Sequence, residues 1–284
     1  MNAAELDQAL QEVRRLVRSS EADAALSRLA TVAAGPELTI EQRTRLQLQR
    51  AEIFGASRRE EQALAIVEPL LASDTPTDDQ RAWAYLVAVK AWAVLGHDAP
   101  PDALYALLDQ PLSPLARCQA LYALSYWHYV QRGDAHAGTE LDERMVRHVH
   151  GVTDPEWRLR LLSWTLPTGG GHQWDPDAEA RGREALGLAR QLRWRAEERR
   201  ILNQLYMLFV ARDEVERALV WAQRAHDVAQ TIGHVDGVAN YHIDRVAVAL
   251  ATADLPTAHR HWQAFLAVQD QTRPTAVGRR LVEL

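Results

Sequence analysis

Arg212-Asp213-Glu214-Val215-Glu216-Arg217-Ala218-Leu219, followed by Ala225, decides the reading of this 284-residue chain. A short polar turn gives way to a helical segment, and a small residue, Ala218, sits where that segment would pack closely on the helix before it. Forty residues earlier stands Ala178, and forty residues later Ala258. Further back the same kind of residue recurs as Gly138, Ala103, Ala63 and Ala25, at intervals of 40, 35, 40 and 38 residues. A near-constant period of this size is the signature of helical hairpins stacked in a line, each touching only its neighbours. The expected fold is therefore all-α: an α-solenoid, a right-handed superhelix of about seven antiparallel helix pairs plus a C-terminal helix, forming one domain over residues 1–284.

Capping chemistry marks the helix starts. Thr39 with Gln42 and Thr77 with Gln80 have capping-box spacing, in which the hydroxyl accepts from an orphan amide and the side-chain amide reaches back. Ser113-Pro114 and Asp154-Pro155 place a capping oxygen before a proline at the first helical position, where its missing N–H costs nothing. Between these signals apolar residues recur at three and four, as in Leu6, Leu10, Val13 and Val17, or Leu202, Leu205, Tyr206 and Phe209. The pattern predicts pairs at about 3–18 with 21–34, 40–55 with 59–72, 78–95 with 101–109, and 114–132 with 135–149. Three more follow at 155–166 with 176–191, 194–211 with 214–232, and 235–252 with 256–271, before a short helix near 275–284. The longest irregularity runs from Pro167 through Gly169-Gly170-Gly171 to Trp174, either a mobile surface connection or a functional insertion.

The chain resembles the tetratricopeptide-repeat (TPR) family. The turn of that family is matched by Gly133-Asp134-Ala135, by Arg212-Asp213-Glu214-Val215 and by Ala253-Asp254-Leu255, and its second-helix alanines by Ala218 with Ala225 and by Ala178 with Ala185. Ala51 and Ala91 fit the family's small first-helix position, whereas Val13, Tyr126, Tyr206 and Val246 depart from it, and the period is near 40 rather than 34. Such long repeats are similar to sensor and scaffold domains of bacterial regulators, including large activators related to the maltose-regulon regulator. The resemblance implies a binding module for peptides, proteins or small effectors. It also implies that the first helix of each pair faces a concave groove, which places Arg45, Glu52, Tyr85, Trp92, Trp127, Arg200, Asn203, Met207, Asn240 and Asp244 on or near that surface. For each of these residues, ordinary packing or a solvated face is the competing reading.

Other clusters leave alternatives open. Tyr122, Tyr126 and Tyr129 recur along one helix beside Trp127 and His128, as core or as an aromatic groove. Between Arg181 and Arg200 lie seven arginines against three glutamates, with Trp194 between Arg193 and Arg195. Arg193, Trp194, Arg195 and Arg199 could meet an acidic partner or nucleic acid, since arginine interleaved with an aromatic suits phosphate and bases. A salt-bridged helix face explains the same residues, because Glu197 and Glu198 offer partners one turn away. His148 with His150, and His259 with His261, are spaced by two, which points their rings apart on a helix. His172 with Asp175 and Asp177 is the remaining local set of ligand types and lacks a third strong donor.

Composition sets outer bounds. The net charge is −6, and residues 1–110 carry 11 basic and 17 acidic side chains, leaving 21 of each in the rest. An acidic protein of this kind is unlike a typical nucleic-acid binder. One cysteine, Cys118, excludes an intrachain disulfide and a thiolate cluster. No basic-then-apolar start and no apolar run of about 18 residues is found, so a cytoplasmic protein without membrane association is expected. Glycine-rich phosphate loops, dinucleotide fingerprints and nucleophile elbows are missing. The expectation is a non-enzymatic scaffold or sensor that binds a protein or peptide without metal or cofactor. A small-effector sensor and a nucleic-acid-associated factor are the alternatives. With no helix-turn-helix or ATPase segment, output would pass through another chain or through self-association.

Overall fold

The computed structural model describes residues 3–19, 21–35, 38–98, 101–166 and 175–269. Among the described residues there are fourteen α-helices and no strand. The first eight are α1 (Ala3–Arg18), α2 (Ala22–Ala33), α3 (Ile40–Ala56), α4 (Glu60–Leu71), α5 (Asp78–Leu95), α6 (Pro101–Leu108), α7 (Pro114–Trp127) and α8 (Ala135–Val149). They are followed by α9 (Pro155–Trp164), α10 (Ala178–Gln191), α11 (Arg195–Ala211), α12 (Val215–Thr231), α13 (Val235–Ala251) and α14 (Leu255–Gln269). A π-helical turn, His128–Arg132, continues α7. The Gly169-Gly170-Gly171 connection, His172 and the helix expected near 275–284 lie outside the described residues. None of the described helices is long and apolar enough to cross a membrane.

The predicted caps form. Gln42 N–H donates to the Thr39 hydroxyl at 3.2 Å while Thr39 N–H donates to Gln42 Oε1 at 3.0 Å, and Thr77 with Gln80 repeats the box at 3.2 and 3.1 Å. The Asp154 carboxylate accepts from the N–H groups of Glu156 and Trp157 at 2.9 and 3.1 Å, and Ser113 caps α7 through Ala116 N–H at 3.3 Å. Each device satisfies amide donors that the first helical turn leaves unpaired.

One turn geometry sets the period. Arg193, Asp213, Gly233 and Ala253 have φ of 53°, 59°, 65° and 57°, the left-handed conformation that ends a helix. The N–H of the next residue reaches back to Ala189, Phe209, Ala229 and Ala249 at 2.9, 2.9, 2.8 and 2.8 Å. A helix of 17 residues plus a three-residue turn makes 20 residues, as α11, α12 and α13 show, so two such units give the forty-residue repeat.

The chain divides into two compact units, Met1–Thr165 and Leu166–Leu284. In the first, Leu6, Leu10 and Val13 of α1 pack with Ala25 and Leu29 of α2 and with Leu46 and Ile53 of α3. Stacking continues through α3 on α5 and α5 on α7. In the second, α10 to α14 each pack on their sequence neighbour. Of the seven recurring small residues, Ala25, Ala63, Gly138, Ala178, Ala218 and Ala258 are buried, whereas Ala103 on the short α6 is half-buried. At Gly138 the choice of glycine has a specific cause, because a Cβ there would lie 2.8 Å from the Tyr129 ring. Gly138→Ala is expected to cost about 1–3 kcal/mol by overpacking. The check is a lower urea midpoint at unchanged slope, compared with Gly187→Ala, where a Cβ meets nothing within 4 Å and the change should stabilise by about 0.5–1 kcal/mol.

Helix α9 departs from the regular stacking expected of it. Of its ten residues, Glu156, Trp157, Leu159, Leu161, Leu162 and Ser163 are buried, so it is covered on several sides rather than along one stripe. Arg14 and Arg18 of α1 donate to Asp154 at 2.6 Å and to Glu156 at 2.8 Å. Arg160 pairs with Glu52 of α3, Trp157 meets Trp83 of α5 edge-on at 6.1 Å, and Trp164 lies 4.2 Å from the Tyr122 ring of α7. Within this unit α9 therefore touches α1, α3, α5 and α7 together.

Candidate functional site

That placement decides what the first unit leaves open. Glu52, expected on a free groove, pairs with Arg160 and accepts from Trp83 Nε1 at 3.2 Å. Trp92 is buried and donates its Nε1–H to Glu68 at 3.0 Å, so it is no exposed anchor. Arg45 is held by Asp7 at 2.8 Å, and Tyr85 is half-buried with its hydroxyl pKa raised by burial, against Arg81. Trp127 is half-buried, edge-on to His128 at 4.7 Å and 5.6 Å from the Arg132 guanidinium. These five are not brought to one open surface.

The tyrosine series resolves as packing. The rings of Tyr122, Tyr126 and Tyr129 lie 4.2, 5.7 and 6.5 Å from that of Trp164. Beneath them Asp142, 1 % exposed, accepts from Ser125 Oγ at 2.6 Å, Trp164 Nε1 at 3.0 Å and Tyr129 OH at 3.1 Å. Cys118 is buried too, and burial pushes its thiol up to about 12, which leaves it protonated and unreactive at neutral pH.

The arginine-rich segment is largely internally paired. Arg181 is buried on Asp175 at 2.6 Å, Arg183 binds Glu179 at 2.8 Å, and Arg190 and Arg195 converge on Glu198 at 2.8 and 2.7 Å. Burial raises the pKa of Glu198, but the hydrogen bonds from Arg190 and Arg195 outweigh it and hold the carboxyl below its usual range. Arg200 Nε donates to both Glu197 oxygens at 3.1 and 3.0 Å. Arg193 is exposed at the left-handed turn and Trp194 is half-buried.

The second unit does assemble predicted residues. Arg199 and Asn203, four apart on α11, face Asn240 and Asp244, four apart on α13, across a cleft floored by Ala222 and Ala225 of α12. The cleft holds about 310 Å³ of non-atom space, part of it open solvent, and admits little more than a water-sized group at depth. Asn203 and Asn240 are exposed, and Met207, 40 % exposed, continues the α11 row. Arg199 Nε is buried with no hydrogen-bond partner. Burial and then Arg200 lower the Arg199 pKa, with Glu197 and Asp236 opposing. Asp244, hydrogen-bonded by Tyr206, is pushed up to about 6 by burial.

Four lining residues were not singled out in the sequence: the floor residue Ala222, and His226, Tyr241 and Gly237. His226 stacks on Tyr241 at 4.2 Å. A Cβ on Gly237 would lie 3.2 Å from Arg199 Cδ and 3.0 Å from His234 Nδ1, so the missing side chain makes room for the Arg199 stem. The twenty-residue turn spacing is the signal that locates Gly237, since it follows the cap at His234, which accepts from Gly237 N–H at 2.8 Å.

Beside the lining residues His226 and Tyr241 lies a titratable pair. His242 Nδ1 lies 3.0 Å from His261 Nδ1, with the His226 ring 5.4 Å from that of His242. Burial, then His226 and His261, lower His242 to about 4. A folded pKa below the unfolded value of about 6.5 gives stability that is present above pH 6.5 and lost as pH falls through about 4. Asp244 has the opposite sign: its raised pKa gives stability present below about pH 4 and lost as pH rises through about 6. Asp244→Asn should therefore raise the thermal midpoint at pH 7 and steepen its fall between pH 6.5 and 4, as a melting series against pH would read.

Among the described residues no group of three or more His, Cys, Asp or Glu side chains is placed to hold a metal ion. No family model matches the chain, and no curated protein matches it.

Proposed function

We propose that this chain is a non-enzymatic, TPR-like α-solenoid module of intracellular regulation that captures a protein or peptide partner on the α11–α13 face of its second unit. The observation that carries this reading is the row formed by Arg199, Asn203 and Asn240, which presents a half-buried guanidinium and two exposed amides at one cleft. Amides of this kind can hold an extended backbone, and the planar guanidinium matches a carboxylate of the partner. Met207 offers an apolar contact one turn along. In the first unit the corresponding groups are engaged internally, Glu52 by Arg160 of α9, Arg45 by Asp7 and Trp92 by Glu68, which directs the proposal to the second.

The alternatives have less support. A small effector would need more depth than this cleft has at its floor. Nucleic acid would need the arginines of the 181–200 segment, most of which are paired with carboxylates. The test is affinity capture from a native lysate, with and without nuclease, using the chain and its Asn203→Ala, Asn240→Ala variant. Both positions are exposed, so the variant should keep its helicity. The reading expects a protein retained by the unaltered chain, resistant to nuclease and lost in the variant. Capture of nuclease-sensitive material alone, or equal capture by both, contradicts it.

A further inference from the structure

The first unit holds a separate slot between α2 and α3. It encloses about 1190 Å³ of non-atom space, including open solvent. Its floor is apolar: Leu29, Leu38, Leu46 and Phe54, exposed by only 2, 7, 4 and 7 %. One lip is made of small apolar residues, Ala30 and Ala33 of α2. The other is a row of donors on one face of α3, Arg43, Gln47 and Arg50, at i, i+4 and i+7. Arg43 to Phe54 spans three turns, about 16 Å at 1.5 Å per residue.

The donor row stands out against its surroundings. Residues 1–110 carry 17 acidic and 11 basic side chains, yet Arg43 and Arg50 are exposed without a carboxylate partner among the described residues. Arg50 lies 5.4 Å over the Phe54 ring, and a third slot arginine, Arg59, is held by Asp23 at 2.8 Å. An apolar trough with one cationic lip is complementary to a molecule with an apolar tail and an anionic head. The floor side chains are nearly covered by their neighbours and offer only a narrow apolar strip, which suits a slender alkyl chain better than a helix about 10 Å across.

We infer that this slot binds a single-chain anionic amphiphile, a medium-length alkyl carboxylate, with the chain along Leu29, Leu46 and Phe54 and the head on Arg43 or Arg50. Tail burial supplies affinity through each methylene removed from water, and the planar guanidinium selects a carboxylate head through paired hydrogen bonds.

Calorimetric titration of the full chain with dodecanoate and dodecyltrimethylammonium below their micelle concentrations, and with dodecanol below its solubility limit, tests this. Saturable one-to-one binding of dodecanoate is expected, with dodecanol weaker by on the order of tenfold and the ammonium weaker still. Shortening the acid by two carbons should weaken it by up to about tenfold. The Arg43→Ala, Arg50→Ala variant should lose the preference for acid over alcohol, and Ala30→Trp, which fills the trough, should lose both ligands. Helicity by circular dichroism confirms that each variant is folded, and either variant suffices alone. No saturable binding, equal affinity for acid and alcohol, affinity unchanged in a folded variant, or displacement of dodecanoate by a more tightly held acidic amphipathic peptide would overturn the assignment.

Discussion

Replacing Asp142 with alanine is expected to lower the stability of the first unit by about 3–5 kcal/mol. The carboxylate is 1 % exposed and accepts from Ser125 Oγ, Trp164 Nε1 and Tyr129 OH. Alanine leaves these donors with no acceptor at that site, although Tyr129 keeps Thr139 at 3.0 Å. Each buried donor left unpaired costs about 1–3 kcal/mol, and a cavity adds to it. Removing a buried carboxylate also relieves a desolvation cost, but three converging donors show that this group is well solvated by protein, so the loss wins. Asp142→Asn keeps one acceptor oxygen and should cost about 1 kcal/mol. Urea unfolding followed by circular dichroism separates the two by their midpoints. Equal midpoints for the alanine variant and the unaltered chain would mean that the network contributes nothing.

The second large effect is expected at Glu156. This carboxylate, 5 % exposed, joins Arg18 of α1 at 2.8 Å to Arg160 of α9 at 2.7 Å. Glu156→Ala leaves Arg18 without this partner where its side chain is 19 % exposed, and takes from Arg160 one of the carboxylates that hold it. Breaking one side of a largely buried ionic network costs more than forming it gained, about 3 kcal/mol here. Because Glu156 ties the start of α9 to α1, limited proteolysis should cut the variant near residues 150–156 well before the unaltered chain. Glu156→Gln, which keeps a hydrogen-bonding group of the same size, should lie between the two. A variant as resistant as the unaltered chain would show that α9 is held by its apolar contacts alone.

How legible all this was in the sequence depends on the element. The starts at Thr39, Thr77, Ser113 and Asp154 were readable because a cap is local chemistry, and the small residues at Ala218 and Ala178 because close helix pairing tolerates little else. The placement of α9 was not readable from the period, which projects every hairpin onto the same frame. Its own composition held the clue: Trp157, Leu159, Leu161, Leu162 and Trp164 cover more than one face, unlike the single stripe of a repeat helix. That one departure turned Glu52 from a groove candidate into a structural pair. Trp92 misled for a related reason, since an indole satisfied by Glu68 and an indole waiting for a partner look alike in sequence. The projection brought Asn203, Asn240 and Asp244 to one cleft, because α11 and α13 keep the twenty-residue unit without interruption, but it named Arg200, which is paired with Glu197, where the cleft is lined by its neighbour Arg199. The π-helical turn after Trp127 left no mark in the apolar periodicity; at it His128 meets the Tyr105 hydroxyl and Gln131 donates to the His97 carbonyl, contacts distant in sequence.

The claim most in need of a direct test is that the α11–α13 cleft holds an acidic group of a peptide. Panning a display library of short random peptides on the full chain, then measuring the enriched peptides on the Arg199→Ala, Asn203→Ala variant, gives that test. Enriched peptides sharing an acidic side chain, bound at least about tenfold more weakly by the variant or after esterification of that carboxyl, are the expected result. Peptides that share no acidic position, or that bind the variant and the unaltered chain alike, would contradict it.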